Sequence, residues 1–288
     1  MKANNTLVKS PLNYIGGKYK LLPQIIPLLP HKVNKFIDLF AGGLNVGINQ
    51  NSNIIYCNDI NNYVIDILQT LYEEKDTDIV EYIHNQIKKY KLSKTNQQGF
   101  ESFRYFYNNS ERKPLDLYTL ICYSFNYQFR FNNKGDYNNA FGRNRSSFSE
   151  TLEKKLRYFV EAIQNRNIVF SKKEFEVFDF TNFNSDDLVY CDPPYLITTG
   201  SYNDGKRGFK NWDINQEQKL LNILDYLNSR NIKFALSNVL EHKGKENELL
   251  IEWAKKYNTN YLNFNYKTSS YNGKNVDKVS IEVLITNY

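Results

Sequence analysis

The sequence predicts an α/β protein built on one mostly parallel β-sheet, and three observations favour that class. Apolar runs of strand length alternate along the chain with segments in which Leu and Ile recur at helical spacing. A glycine turn follows the first apolar run, and an acidic residue ends the second. Apolar residues make up 41% of the 288 residues, enough to cover such a sheet on both faces.

Six apolar runs are the strand candidates. They are residues 35–40, 53–59, 167–170, 187–192, 233–238 and 278–285. A short helix is predicted over residues 44–50, and longer helices over 214–230 and 248–257, where apolar residues recur every three or four positions. Because strands alternate with helices, the strands are expected to run mostly parallel between two helical layers.

The region from residue 72 to 165 breaks this alternation. Helical patterns over 79–90 and 115–125 are followed by residues 128–147, which contain no long apolar run. That last stretch is basic and aromatic. We therefore expect a main domain made of residues 1–71 and 166–288, with residues 72–165 inserted into it as a mainly helical and loop segment.

Composition limits the kinds of partner. The formal net charge of +6 favours an anionic partner over a neutral metabolite. No stretch reaches the ~18–20 apolar residues of a membrane span, and the first residues lack the apolar core of a signal peptide, so a cytoplasmic protein is expected. Cys57, Cys122 and Cys191 stand apart in apolar runs without CxxC spacing, and the three His are scattered. We expect buried thiols, no disulfide framework and no metal.

The glycine turn and the acid after it form the first candidate site. Gly42 and Gly43 follow the first strand candidate, and Asp59 ends the second. A glycine turn lets backbone N–H groups approach a ligand, and an acid at the end of the next strand can bind both hydroxyls of a ribose. Such turns also occur for steric reasons. NAD, nucleotides and S-adenosylmethionine all contain ribose, so this pair does not choose among them.

The second candidate site is the run Asp192-Pro193-Pro194-Tyr195 after the fourth strand candidate. An exocyclic amine of a nucleobase is a poor nucleophile because its lone pair is delocalised into the ring. Asp192 and the Pro193 carbonyl can accept its protons, and the prolines fix these acceptors in place. Tyr195 offers an aromatic face on which an extruded base can stack. The alternative is a rigid turn with a solvent-facing acid.

These motifs resemble those of the Dam-type, alpha-group adenine-specific DNA methyltransferases, which occur in restriction-modification systems or as orphan enzymes. The resemblance extends over nearly the whole chain and keeps the family's order of motifs. The segment at residues 10–30 is similar to the family's N-terminal cofactor segment, FIDLFAGG to its glycine motif, and DPPY to its catalytic motif. Residues 128–145 resemble the DNA-reading loop, and residues 278–288 the final strand.

The resemblance implies a Rossmann-like methyltransferase sheet that binds S-adenosylmethionine and releases S-adenosylhomocysteine. It implies that Tyr14, Lys18, Asp59 and Asp192 contact the cofactor, with Phe40 and Gly42 shaping the pocket. Lys18 would meet the methionine carboxylate, and Asp59 the ribose. Glu174 and Phe175 are expected to hold the cofactor's adenine, with a simple loop as the alternative. Three positions depart from the family pattern: Tyr14 replaces Trp, Leu44 a common glycine, and Ala140 a proline.

Residues 128–147, which we call the basic loop, supply the candidate contacts to double-stranded DNA. These are Arg130, Asn132, Lys134, Tyr137, Asn138, Arg143 and Arg145. Arg can pair bidentately with guanine and Asn with adenine, although both also bind phosphates. Tyr137 and Phe141 are expected either to stack on DNA or to pack the loop.

The function expected from the sequence is methylation of the exocyclic amine of a flipped adenine in duplex DNA. Three alternatives remain: an RNA or protein methyltransferase, a catalytically degenerate DNA-binding homologue, and a dinucleotide oxidoreductase. The intact Lys18, Asp59 and DPPY motif argues against the second alternative, and the DPPY motif against the third. A monomer is expected, with a cognate restriction endonuclease as a partner that acts on the same site without forming a stable complex.

Overall fold

The fold is taken from a computed structural model that describes residues 7–14, 16–198, 212–262 and 280–288. Its centre is a mixed sheet with the strand order β3-β2-β1-β4-β5-β8-β7, to which β6 adds by pairing with β5. The strands are β1 Val33–Asp38, β2 Ser52–Asn58, β3 Ile168–Ser171, β4 Leu188–Cys191, β5 Lys233–His242, β6 Lys245–Glu246, β7 Asn258–Leu262 and β8 Ser280–Thr286. The first five strands in this order are parallel, whereas β8 runs antiparallel to both β5 and β7.

Helices surround this sheet. They are α1 Leu22–Ile25, α2 Asn62–Glu73, α3 Asp76–Tyr90, α4 Gln97–Asn108, α5 Pro114–Tyr123, α6 Glu150–Gln164, α7 Ile214–Ser229 and α8 Glu248–Ala254. None of the helices in the described part of the chain is long and apolar enough to cross a membrane.

Side chains of successive strand residues enter two different hydrophobic clusters. In β4, Leu188 and Tyr190 join one cluster with α1–α6, while Val189 and Cys191 join the other with α7 and α8. This alternation is the period of two expected when both faces of a strand are buried. The predicted α/β class, with a mostly parallel sheet covered on both sides, is therefore confirmed.

The topology places a crevice at one edge of the sheet. The central strand β1 pairs with β2 on one side and with β4 on the other. The chain thus leaves β1 toward one side of the sheet and later returns to its other side. Parallel sheets of this type bind ligands outside the carboxyl ends of their strands, at this point of reversal.

The structure departs from the sequence predictions at a predicted helix and at an edge strand. Residues 44–50 do not form an α-helix but end in one 3₁₀ turn, Gly47–Asn49, because Leu44 has a left-handed φ of 59°. The edge strand β7 was not predicted, since its sequence NTNYL has neither an apolar run nor a clear alternation. Residues 278 and 279 of the last strand candidate lie outside the described residues.

Helices α3 to α6 occupy the predicted insert. They lie between β2 and β3 in sequence, and their buried residues share one cluster with the sheet. Ile83 of α3, Phe100 of α4 and Leu120 of α5 belong to the same cluster as Phe36 of β1 and Ile55 of β2. The segment is therefore a helical layer continuous with the main core.

Candidate active site

A cleft of about 1090 Å³, including its open mouth, lies at the carboxyl ends of β1, β2 and β4. We call it the cofactor cleft. Each of these strands delivers an acid to it: Asp38 ends β1, Asp59 follows β2, and Asp192 follows β4. All of the residues predicted to bind the cofactor or catalyse the reaction line this cleft: Tyr14, Lys18, Phe40, Gly42, Asp59, Glu174, Phe175, Asp192, Pro193, Pro194 and Tyr195.

The glycine turn is closed by Asp59. One oxygen of its carboxylate accepts the backbone N–H of Gly42 at 2.8 Å, and the other accepts that of Asn61 at 2.8 Å. Gly42 has a left-handed φ of 47°, and a Cβ added there would meet Cδ1 of Tyr14 at 2.8 Å. Glycine is therefore required both by the backbone conformation and by the ring packed over the turn. Burial raises the pKa of Asp59 to about 6, although both N–H donors act to lower it.

Leu44, the departure from the family's glycine pattern, adopts the conformation that a glycine would take without strain. Its φ is 59°, and its side chain is fully buried. Burial of the leucine side chain offsets the backbone strain. A Cβ on Gly47 would meet Cδ1 of Leu44 at 2.7 Å and Oδ2 of Asp38 at 3.0 Å, so the glycine leaves room for both side chains.

Asp38 is a cleft residue that sequence reasoning missed. Its carboxylate accepts the N–H of Gly47 at 3.0 Å, and its side chain is 1% exposed. Burial raises the pKa of Asp38 to about 8, with smaller contributions in the same direction from Asp192 and Asp59. Asp38 lies inside the strand candidate 35–40, and only the structure shows that the strand ends there, so the signal that identified Asp59 did not single it out.

Asp192 is held by a buried cation. The Lys18 Nζ lies 2.7 Å from its carboxylate, and the lysine is 6% exposed. The same ammonium donates to the Gly16 carbonyl at 3.0 Å. Burial raises the pKa of Asp192, while Lys18 and the Tyr195 hydroxyl act to lower it. The predicted partner of Lys18 was the methionine carboxylate; here its ammonium pairs with the candidate catalytic acid.

Tyr195 connects Asp192 to a second carboxylate that the sequence did not reveal. Its hydroxyl lies 3.1 Å from Asp192 Oδ1 and 3.1 Å from Glu282 Oε1. Glu282 lies on β8, and the Lys18 Nζ is 3.7 Å from it. A lone glutamate in an alternating strand carries no sequence signal, and 87 positions separate it from Tyr195.

An aromatic wall bounds the other side of the cofactor cleft. Phe40, Phe175 and Trp212 pack with ring centroids 5.5 to 5.8 Å apart. Trp212 is a further residue that sequence reasoning missed. Its indole N–H donates to the buried Glu217 at 2.6 Å, which also accepts from Asn238 and Asn247. The indole is thus fixed by a hydrogen-bonded glutamate on α7.

A second, wider cleft meets the cofactor cleft at Lys18 and Tyr195, which line both. We call it the basic cleft, because its wall carries four further lysines: Lys9, Lys20, Lys155 and Lys243. Burial and the charge of Lys9 lower the pKa of Lys155 to about 8. Tyr127, at the start of the basic loop, also lines this cleft.

The predicted DNA-binding residues lie apart from the cofactor cleft and differ in exposure. Arg130, Lys134, Asn138, Arg143 and Arg145 are exposed. Arg143 donates to Gln97 at 2.8 Å, and Arg145 lies over the exposed ring of Phe125.

Two predicted DNA contacts are instead engaged inside the loop. Asn132 Oδ1 accepts the backbone N–H groups of Lys134 and Asp136. Tyr137 is 1% exposed, and its hydroxyl donates to the Gln128 carbonyl at 3.1 Å. Of the two roles considered for Tyr137, packing of the loop is the one that its burial fits, and its contact with DNA stays a prediction.

All three cysteines and all three histidines lie within the described residues. Cys57, Cys122 and Cys191 are buried free thiols, as predicted. Within the described residues, no group of three or more His, Cys, Asp or Glu side chains could hold a metal ion.

Comparison with known proteins identifies the family to which this arrangement belongs. The chain is 59% identical over 284 residues to the type II methyltransferase M.FokI of Planomicrobium okeanokoites. The aligned region covers 99% of this chain and 43% of that protein. It is 53% identical over 283 residues to the modification methylase StsI of Streptococcus sanguinis, covering 98% of this chain and 43% of the relative. The chain thus spans less than half the length of these two relatives.

A more distant relative matches over most of its own length. The DNA adenine methylase of Escherichia coli is 28% identical over 242 residues, which are 83% of this chain and 82% of the relative. The family model described as D12 class N6 adenine-specific DNA methyltransferase matches residues 14–270. The chain therefore belongs to the D12 class of N6 adenine-specific DNA methyltransferases.

Proposed function

We propose that this chain transfers a methyl group from S-adenosylmethionine to the N6 amine of an adenine extruded from duplex DNA. The observation that carries the proposal is the Asp192 carboxylate. It lies at the point of strand reversal, 2.7 Å from a buried lysine, on the wall of a cleft that also reaches Gly42 and Asp59. Family membership supports the reaction.

The chemistry of the cofactor cleft fits S-adenosylmethionine. Each Asp59 oxygen accepts one backbone N–H and keeps a lone pair for a ribose hydroxyl. The wall of Phe40, Phe175 and Trp212 offers a face for an adenine ring, with Glu174 at its edge. When bound, the cofactor supplies an electrophilic methyl group on a positively charged sulfur, which keeps the bonding electron pair as the methyl leaves.

The chain's own contribution is to orient and activate the amine. Asp192 accepts one N–H of the amine, and the rigid Pro193 carbonyl accepts the other, which localises the nitrogen lone pair toward the methyl group. Lys18 fixes the carboxylate of Asp192 in place. The ring of Tyr195, which borders both clefts, is the surface on which the extruded base stacks.

We infer that DNA reaches the site through the basic cleft. Its four lysines besides Lys18 can neutralise backbone phosphates, and it meets the cofactor cleft at Lys18 and Tyr195. Residues 72–165 are the proposed target-recognition segment. Their exposed cations, Arg130, Lys134, Arg143 and Arg145, with Asn138, are the proposed contacts to bases and phosphates.

The named relatives support a place in a restriction-modification system. M.FokI is called a type II methyltransferase, and StsI a modification methylase. By analogy we propose a cognate endonuclease that acts on the same DNA site without a stable complex. A monomer is proposed for the chain described here.

One assay tests the reaction and its substrate class together. The protein is incubated with methyl-labelled S-adenosylmethionine and, separately, with duplex DNA, single-stranded DNA, RNA and a protein mixture. Digestion to nucleosides should recover the label as N6-methyladenine from duplex DNA. Label in N6-methyladenine from RNA alone would replace the proposal with the RNA alternative. Absence of label from every substrate would indicate a degenerate DNA-binding homologue.

A further inference from the structure

Glu282 is a buried carboxylate that nothing in the proposed mechanism yet uses. It lies on β8 opposite Val239 of β5 and Leu262 of β7, and it is 6% exposed. Its Oε1 is 3.1 Å from the Tyr195 hydroxyl and 3.7 Å from the Lys18 ammonium. A buried carboxylate in an apolar sheet is costly, so these two partners are what stabilise it.

The Tyr195 hydroxyl lies between two carboxylates at equal distances of 3.1 Å. A phenol has one proton to donate, so it donates to one carboxyl group while its oxygen accepts from the other. The arrangement Asp192–Tyr195–Glu282 is therefore a continuous path along which one proton can move in either direction by two hydrogen-bond shifts.

Lys18 makes the two ends of this path unequal. Its Nζ is 2.7 Å from Asp192 but 3.7 Å from Glu282, so the ammonium stabilises the anion of Asp192 more strongly. Burial raises the pKa of Glu282, with Lys18 the largest opposing influence. Burial raises the pKa of Asp192 as well, so the longer distance from Lys18 is what makes Glu282 the preferred site for a proton at the end of the path.

The path also has a direction in space. Asp192 lines the cofactor cleft, whereas Glu282 lines the basic cleft with His242 and Lys243, where solvent can enter. A proton that moves from Asp192 to Glu282 therefore leaves the side of the methyl transfer and reaches the side open to water.

We propose that Glu282 accepts, through the Tyr195 hydroxyl, the proton that the adenine amine loses during methyl transfer. This inference rests on the proposed function. The N6 atom forms a bond to the methyl group, and one N–H bond breaks with its electron pair staying on nitrogen. That proton passes to Asp192, Tyr195 takes it from Asp192, and the original phenolic proton passes to Glu282. Asp192 and Tyr195 return to their starting states, and Glu282 ends neutral.

Several other ionisable groups face Glu282 and must be considered in any pH measurement. They are Lys18 from the 3₁₀ turn Lys18–Leu21, Tyr190 of β4, Asp192 and Tyr195 after it, and His242 and Lys243 at the end of β5. The substitution Glu282→Gln removes the proton acceptor while it keeps the size of the side chain and an oxygen that can accept from Tyr195.

The first test is single-turnover methyl transfer on duplex DNA across a range of pH. Glu282→Gln should slow transfer by about 100-fold, the lower part of the range for a general base. The wild-type rate of transfer should fall as pH decreases through the pKa of Glu282. The rate of Glu282→Gln should not show this decrease. Tyr195→Phe, which breaks the path and removes one hydrogen-bond partner of Glu282 but keeps its carboxylate, should reproduce the changed pH profile. Glu241→Gln, on the neighbouring strand opposite Ile281, is the matched control and should behave as the wild type.

The second test uses the protein without cofactor or DNA. Infrared difference spectra should contain a carboxyl band that titrates above the ordinary range of a glutamate. Glu282→Gln should remove that band, and Tyr195→Phe should shift it. Chemical rescue provides a third readout: formate should restore transfer in Glu282→Ala.

The outcomes separate this inference from the proposed function. If the wild type methylates adenine and Glu282→Gln retains both its rate and its pH profile, the relay is refuted while the function stands. A variant that loses only thermal stability, with an unchanged carboxyl band, also refutes it. Absence of methylation by the wild type would refute the function itself.

Discussion

At the scale of single residues, the buried acids of the cofactor cleft differ in the groups that offset the cost of their burial. Asp38, Asp59 and Asp192 all follow strands of the same parallel sheet, yet their partners differ. Asp192 has a lysine at 2.7 Å, whereas Asp59 has two backbone N–H donors and Asp38 has one. A lysine offsets the cost of burying a carboxylate better than a dipole does, so Asp192 is the acid best suited to remain charged.

The pKa of about 6 for Asp59 predicts a pH dependence of cofactor binding. The pKa lies above its usual value, so the carboxylate is ionised above pH 6 and becomes protonated as the pH falls below it. A neutral carboxyl accepts ribose hydroxyls less well. Affinity for S-adenosylhomocysteine should therefore fall below pH 6 by up to roughly tenfold per pH unit, which is about 1.36 kcal/mol. Calorimetric titration of the protein without DNA measures this.

The control for that titration is Asp59→Asn. It should bind weakly at every pH and show no inflection near pH 6. An inflection that persists in Asp59→Asn would assign the titration to another group, and unchanged affinity would mean that the ribose binds elsewhere.

Trp212 provides an optical test of the aromatic wall. The chain has two tryptophans, and Trp253 packs away from the cleft against Phe234 and Tyr257. In Trp253→Phe, the remaining indole should change its emission when S-adenosylhomocysteine binds. In Trp212→Phe, the emission of Trp253 should stay constant while the affinity falls by ~1–3 kcal/mol, the scale of one stacking contact. If the emission of Trp253 alone changed on binding, Trp212 would not form part of the wall that contacts the cofactor.

At the scale of elements, the turn after β1 has to hold Tyr14 and Asp59 together. We predict that Gly42→Ala destabilises the protein, because its φ of 47° costs a side chain roughly 1–2 kcal/mol. The new Cβ would also meet Tyr14 at 2.8 Å and displace the ring from the cleft. Thermal unfolding and calorimetric affinity for S-adenosylhomocysteine measure the two effects.

Gly244→Ala is the matched control for this prediction. Gly244 has a φ of 75°, and a Cβ there would meet nothing within 4 Å. It should share the loss of stability but keep full cofactor affinity. If Gly42→Ala and Gly244→Ala bound S-adenosylhomocysteine with equal affinity, the packing of Tyr14 on the turn would be irrelevant to binding.

Two cations of the basic loop are expected to contact different parts of the DNA, one a base and the other the phosphate backbone. Arg143 follows the buried Gly142, and its guanidinium is oriented by Gln97, so we predict that it reads a base. Arg143→Ala should lose ~1–3 kcal/mol of discrimination against one wrong base pair. Lys134 is exposed at the turn closed by Asn132, and Lys134→Ala should weaken methylation of all sites alike.

Methylation of a library of near-cognate sites at two salt concentrations distinguishes these roles. Lys134→Ala should flatten the salt dependence by about one phosphate contact. If Arg143→Ala slows every site equally, its base-reading role fails, although the methyltransferase assignment survives.

At the scale of the whole molecule, the sequence predicts the strands and site residues that are marked by a pattern of neighbouring residues. The buried strands β1, β2, β4 and β5 each contain a short apolar run, because both of their faces are covered there. The edge strand β7 is half exposed and polar, so it has no such signal. Lys18, Asp59 and Asp192 were found because each lies in a motif of adjacent residues.

The residues that were missed acquire their roles only through the fold. Glu282 reaches Tyr195 because β8 pairs antiparallel with β5, and Trp212 faces the cofactor cleft because Glu217 holds its indole. The pairing of Lys18 with Asp192 was not predicted either, since a lysine after a glycine turn does not reveal which acid lies across the sheet. Long-range pairings of this kind leave no trace in local spacing.

The central claim is that Asp192 activates the adenine amine, and single-turnover methyl transfer by Asp192→Ala tests it most directly. Removal of this carboxylate leaves Lys18 with Glu282 at 3.7 Å as a counter-ion, so the fold and S-adenosylhomocysteine binding should persist. The rate should fall by at least ~100-fold, the scale of losing one preorganised electrostatic contact. Transfer to adenine at a rate close to wild type, by a folded variant that binds cofactor, would contradict the account.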